Sequence, residues 1–112
     1  MRVRSVLLAI GFVIALPLGA FAQASISGLV RDSSGGVLPG VTVEASSPVL
    51  IEKARSATTD ASGRYTIPDL RPGAYRVAFT LQGFKTVVRE NVELTGTQVL
   101  ALNSDLEVGG VQ

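Results

Sequence analysis

The sequence predicts a small all-β domain behind a short leader, and three observations lead to this prediction. Apolar and polar residues alternate with a period of two along several short runs. Turn-forming residues separate these runs at short, fairly regular intervals. After the first 22 residues, no window carries the i, i+3, i+4, i+7 apolar stripe of an amphipathic helix. Many short strands at this spacing are typical of a β-sandwich or a β-barrel.

The clearest strand prediction covers residues 75–82. Tyr75, Val77 and Phe79 fall on one face of this segment, and polar residues such as Arg76 and Thr80 fall on the other. A strand with one buried face shows this alternation. We predict six further strands, at residues 26–30, 41–45, 52–59, 64–67, 84–94 and 98–106.

Turn residues lie between the predicted strands. The segments 32–36 and 60–63 combine Asp, Ser and Gly, and the pair Pro39-Gly40 stands just before a strand. Glycine supplies positive φ angles, proline presets φ, and Asp accepts hydrogen bonds from nearby backbone amides. These segments therefore indicate tight turns.

Residues 1–22 have the three-part layout of a secretory signal peptide. Arg2 and Arg4 precede an apolar run over residues 6–16, and small residues flank Phe21 before Gln23. A membrane anchor is the alternative, but residues 6–22 are 17 residues interrupted by Pro and Gly, whereas a spanning helix needs about 20 predominantly apolar residues. We expect a signal helix that is cleaved between Ala22 and Gln23, which would leave no stable membrane anchor on an exported protein.

Removing the leader changes the composition. The leader inflates the mean hydropathy of +0.40, and its loss leaves eight basic residues against nine acidic ones. A nearly neutral chain without a basic patch argues against nucleic acid as a partner. The chain has no Cys, so an exported domain must rest on strand pairing and apolar packing instead of disulfides. We expect one domain over residues 23–107 and a tail or linker over 108–112.

The segment Leu70-Arg71-Pro72-Gly73-Ala74-Tyr75 is the most informative local stretch. A Leu-x-Pro-Gly-x-Tyr pattern at the start of a strand predicts a tyrosine corner, in which the Tyr hydroxyl bonds back to the preceding backbone. A stacking platform for a ligand is the alternative role of Tyr75. The same inward parity as Val77 and Phe79 favours the structural role.

The ordered set of these segments resembles the carboxypeptidase regulatory-like domain over about residues 24–107. The resemblance implies an all-β, seven-strand, Greek-key-type β-sandwich of the prealbumin-like class. It also implies a non-catalytic module, which in this family occurs at the N-terminus of bacterial TonB-dependent outer-membrane receptors, directly after a signal peptide. The structural positions that carry the resemblance are Gly28, Pro39, Gly40, Asp60, Gly63, Tyr65, Leu70, Pro72, Gly73 and Tyr75.

The sequence lacks the residues of most catalytic sites. Without His and Cys, neither a Ser-His-Asp nor a Cys-His arrangement is available. Asp60 and Asp69 are the only acids in turns near a Tyr, and turn formation explains both better than glycoside hydrolysis does. The segment 60–63 has too few carboxylates for a calcium loop, and 33–36 lacks the Lys of a phosphate loop. We therefore expect no enzyme activity, no cofactor and no metal.

Two kinds of binding stay open. Carbohydrate-binding modules with similar sandwiches use exposed aromatic side chains. At least three of the four aromatics after the leader are predicted to point inward. These four are Tyr65, Tyr75, Phe79 and Phe84. Protein partners in the cell envelope could pair with an edge strand or contact the charges at 52–55 and 89–93. The sequence predicts an exported accessory module, in the periplasm or at the outer membrane, with secretion as an alternative.

Overall fold

The computed structural model describes residues 23–109, and within them the chain is all β, with no helix. Turns that contain Gly, Pro, Asp or Ser connect most of the strands, as the sequence predicts. The eight strands are β1 (Ala24–Asp32), β2 (Thr42–Ser46), β3 (Ala54–Thr58), β4 (Arg64–Leu70), β5 (Gly73–Thr80), β6 (Val87–Leu94), β7 (Val99–Ala101) and β8 (Ser104–Leu106).

The strands form two four-stranded sheets. In the first sheet, β1 lies centrally, with β4 antiparallel on one side and both β7 and β8 parallel on the other. The second sheet has the order β3-β2-β5-β6 and is antiparallel throughout. The hairpins β2–β3 and β5–β6 stay within the second sheet, while the connections β1–β2, β3–β4, β4–β5 and β6–β7 cross between the sheets. The result is the predicted Greek-key-type sandwich.

The core lies between the two sheets and is built by the period-two pattern. Val43 and Ala45 of β2 are fully buried, as are Val77 and Phe79 of β5, while their sequence neighbours Thr42 and Glu44 are exposed. Burying such apolar side chains stabilises a domain by about 25 cal/mol per Å² of apolar surface. The other large, fully buried side chains are Tyr75, Ile26, Ile67, Leu70, Leu94, Leu106, Val30 and Val41.

The last predicted strand, residues 98–106, is present as the two short strands β7 and β8. Both pair with β1 at the same offset of 74 residues, so they are one strand in register that is interrupted at Leu102 and Asn103. The other six predicted strands are present with boundaries shifted by a few residues.

The chain enters and leaves the sandwich at opposite ends. Parallel pairing makes β1 and β8 run in the same direction, so Ala24 starts β1 at one end and Leu106 finishes β8 at the other. We call these the entry end and the exit end. Nine residues of β1 at about 3.3 Å each place the two ends about 30 Å apart. Among residues 23–109, no helix is long and apolar enough to cross a membrane. The predicted signal helix and the Ala22 side of its cleavage site lie outside the described residues.

Candidate functional site

The residues at Gly28 form the junction between the first and last strands. Tyr65 of β4 lies opposite Gly28 of β1, and its hydroxyl donates a 2.7 Å hydrogen bond to the carbonyl oxygen of Leu102. A Cβ at Gly28 would overlap that oxygen. The bare Cα of Gly28 therefore lets the Leu102 carbonyl reach Tyr65 across β1.

Two further bonds complete this junction. The backbone N–H of Leu29 donates to the side-chain oxygen of Asn103 at 2.9 Å, in place of the backbone bond that the strand break removes. Arg89 of β6, in the other sheet, donates to the carbonyl oxygen of Asn103 at 3.0 Å. The ring of Tyr65 is buried and meets Phe79 edge-on, with centroids 5.9 Å apart. Burial raises the pKa of Tyr65, so its hydroxyl stays protonated as a donor.

Tyr75 has the geometry of a tyrosine corner. Its hydroxyl donates a 2.6 Å hydrogen bond to the carbonyl oxygen of Arg71, four residues earlier in the turn that precedes β5. Leu70 is buried, Pro72 is exposed, and Gly73 has a φ of 154° beside the side chain of Val49. Burial raises the pKa of Tyr75, and a ring that is 2% exposed offers no stacking surface for a ligand.

Asp32 and Asp60 form two matching turns at the exit end. In each, one carboxylate oxygen accepts backbone N–H groups two and four residues later, at 2.9 and 3.0 Å for Asp32 and at 2.8 and 3.0 Å for Asp60. Gly35 and Gly63 occupy the same position in the two turns, with φ of 97° and 77°.

The hydrogen bonds of these turns also hold both carboxylates ionised. The Ser34 hydroxyl, followed by the N–H of Gly36, lowers the pKa of Asp32. The N–H groups of Arg64 and Ser62 lower the pKa of Asp60. Within residues 23–109, no three Asp, Glu, His or Cys side chains come together in a group that could hold a metal ion. Both turns are thus accounted for by their own backbone hydrogen bonds.

Pro39 and Gly40 lead into β2 beside a buried threonine. The Thr59 hydroxyl donates to the carbonyl oxygen of Leu38 at 2.6 Å and accepts the N–H of Val41 at 2.9 Å. Gly40 has a φ of 82°, a conformation that a side chain disfavours. Thr59 therefore fastens the start of β2 to the end of β3, a role that sequence reasoning did not assign to it.

Arginines close both open sides of the sandwich. Arg55 of β3 donates to the carbonyl oxygens of Pro68 and Asp69 in β4, at 3.0 and 2.9 Å, and pairs with Glu52 at 2.6 Å. On the opposite side, Arg89 of β6 also connects the two sheets, by donating to the carbonyl oxygen of Asn103. The charges expected at 52–55 and 89–93 as a contact surface are thus partly engaged within the domain, and no local sequence pattern points to carbonyl partners so distant in the chain.

The described surface offers no aromatic platform for a sugar. Tyr65, Tyr75 and Phe79 are buried, and Phe84 is half-buried against the core. One open hollow of about 490 Å³ lies over the second sheet, where Arg76 is paired with Glu90 at 3.1 Å. Among the described residues, the carbohydrate alternative therefore lacks the exposed aromatic side chains that such modules use.

Comparison with known proteins assigns the family. Residues 25–107 match the model of the carboxypeptidase regulatory-like domain. The chain belongs to this family. This regulatory-like domain is also 37% identical, over 95% of its length, to the TonB-dependent transporter Oar of Myxococcus xanthus. The match spans 10% of that transporter's length.

Solved structures show the same fold in other settings. The Bacillus anthracis TIE protein aligns with a TM-score of 0.65 at 20% identity, over 78% of this chain and 17% of that one. A Pseudomonas aeruginosa protein proposed to bind carbohydrate aligns with a TM-score of 0.54 at 16% identity, over 76% and 89% of the two chains. At these identities the likeness concerns the fold alone, because one fold serves many functions.

Proposed function

We propose that this regulatory-like domain is an exported, non-enzymatic module that forms the N-terminal extension of a TonB-dependent outer-membrane transporter. The observation that carries the proposal is the 37% identity to the Oar transporter over nearly the whole chain. The module would work in the periplasm or at the outer membrane, where its partners would be other proteins of the envelope.

The geometry supports an extension that lies in line with the domain that follows it. The chain enters at one end of the sandwich and leaves at the other, so about 30 Å of folded protein would separate its N-terminus from a domain attached after β8. Asp32, Asp60, Tyr65 and Tyr75 all form hydrogen bonds with the domain's own backbone, and the Ser34 hydroxyl is a further donor to Asp32. Their hydrogen bonds support the proposal of a non-enzymatic module, because they give each of these four polar side chains a structural role in the domain.

Cell fractionation tests the proposal. The full chain, produced with a C-terminal tag in a Gram-negative host, should be found in the envelope or periplasmic fraction with residues 1–22 removed. A tagged protein that stays in the cytosol with its leader intact would contradict the proposal. Calorimetry with soluble glycans is the second arm, in which we expect no binding heat at millimolar sugar; saturable heat would favour a carbohydrate-binding module instead.

A further inference from the structure

We propose that the domain resists stretching along its chain, because its first and last strands are parallel neighbours that are pulled from opposite ends. This inference goes beyond the proposed function, since it rests only on the hydrogen bonds between β1 and β7–β8. A force applied at the two termini would pull β1 toward the entry end and β8 toward the exit end. The hydrogen bonds between the strands lie across that direction, so the force shears the whole ladder at once.

Hydrogen bonds connect these strands along the whole length of β1, including the gap between β7 and β8. Residues 25–27 pair with 99–101, and residues 30–32 pair with 104–106. In the gap, the N–H of Leu102 donates to the carbonyl oxygen of Ser27 at 2.8 Å, and the N–H of Leu29 donates to the Asn103 side chain at 2.9 Å. The Asn103 amide thus maintains the connection at the one place where the backbone ladder is broken.

The surroundings hold both strands of this ladder in place. β1 is paired on its other edge with β4, so moving β1 would break that antiparallel ladder as well. Tyr65 bonds Leu102 to β4, and Arg89 bonds Asn103 to the second sheet.

The chain after β8 is fastened too. The N–H of Lys85 donates to the carbonyl oxygen of Glu107 at 2.8 Å, and the N–H of Gly109 donates to that of Gly83 at 2.9 Å. A pull on the exit end therefore meets these bonds before it reaches β8.

Single-molecule stretching with two attachment geometries tests the inference. The chain has no Cys, so introduced cysteines give unique handles in the full chain. Gln23→Cys with Gln112→Cys loads the terminal ladder in shear. Gln23→Cys with Thr97→Cys pulls β1 and β7 apart from the same end, because Gln98 accepts a bond from Ser25, and it breaks the ladder one bond at a time. We expect a clearly higher unfolding force in the first geometry at equal pulling speed; equal or reversed forces would overturn the proposal.

Two variants show whether the ladder itself sets the force. Asn103→Ala removes one hydrogen bond from the middle of the ladder, and we expect it to speed forced unfolding about fivefold in the first geometry and to change the second geometry little. Arg55→Ala is the matched control, since it removes hydrogen bonds between β3 and β4 and leaves the terminal ladder intact. If Arg55→Ala weakens the first geometry as much as Asn103→Ala, the force follows general stability and the proposal fails. Should Asn103→Ala not fold, the comparison of the two geometries in the parent sequence decides alone.

Discussion

Gly28 shows how a single missing side chain determines the path of the last strand. The absence of a Cβ leaves room for the Leu102 carbonyl, which turns toward Tyr65 and interrupts the ladder that β7 and β8 form with β1. The buried hydroxyl of Ser104, just after this break, has no hydrogen-bond partner among the described residues. At this junction, side-chain hydrogen bonds of Tyr65, Asn103 and Arg89 thus replace backbone hydrogen bonds of the ladder.

Replacing Gly28 tests this explanation. We expect Gly28→Ala to destabilise the domain by about 3 kcal/mol, because the new Cβ would overlap the Leu102 carbonyl and displace it from Tyr65. Gly36→Ala is the control, since its Cβ would find only the Asp32 side chain, 3.4 Å away, and should change stability by no more than about 0.5 kcal/mol. Urea denaturation measures both; similar midpoints for the two variants would contradict the explanation.

At the scale of the elements, the strand edges carry bulges. The extra residue in β4 falls near Pro68 and Asp69, and the one in β6 falls near Asn91, where the register of each antiparallel pair shifts. Asp69 and Asn91 have positive φ angles of 60° and 56°. Pro68 also lacks a donor for a further strand. Bulges and prolines at edges discourage pairing with another chain, so β4 and β6 are poor places for a partner to add a strand.

The turns at Asp32 and Asp60 should make the stability of the domain depend on pH. Because folding lowers the pKa of Asp32 and Asp60 below the ordinary value of 3.8, their ionised forms stabilise the domain above that pH, and this contribution is lost as the pH falls through the lower folded values. We expect the double variant Asp32→Asn with Asp60→Asn to lose less stability than the parent when the pH is lowered from about 5 to about 2. This window is roughly the range in which Asp carboxylates titrate.

Urea midpoints across this pH range measure the effect. Asp105→Asn is the matched control, because its carboxylate lies 3.8 Å from Arg31 and accepts no backbone N–H within the described chain. The control should keep the acid sensitivity of the parent. If the double variant also keeps it, the turns do not contribute to stability in the way that their hydrogen bonds indicate.

Sequence reasoning reached the strands but not the contacts between distant ones. Alternation along β2 and β5 is a local property, so residues such as Val43 and Phe79 could be assigned to the core from the sequence. The break at Leu102 could not, because it depends on Gly28, which lies 74 residues before Leu102. Likewise, the sequence pattern predicts Arg55 and Arg89 only as part of a charged contact surface, whereas the fold places backbone carbonyls within their reach.

At the scale of the whole molecule, the start of β1 would restrict where the predicted leader can be removed. Gln23 is exposed, whereas Ala24 is buried and pairs with Leu70. Cleavage between Ala22 and Gln23 would leave the first buried residue in place, and cleavage two residues later would remove it. Signal peptidase requires a small residue before the cut, here Ala22. Only Gln23 separates this residue from Ala24, the first core residue of the sandwich.

The mass of the exported protein tests this arrangement. We expect the mature chain to begin at Gln23, so its intact mass should lack residues 1–22. Ala22→Phe should abolish cleavage, because a large side chain at the −1 position does not fit the protease, and the leader should remain on the protein. Phe21→Leu changes the neighbouring −2 position and should be cleaved like the parent. A mature protein that begins after Ala24 would show that β1 can lose its first core residue, and normal processing of Ala22→Phe would place the cleavage site elsewhere.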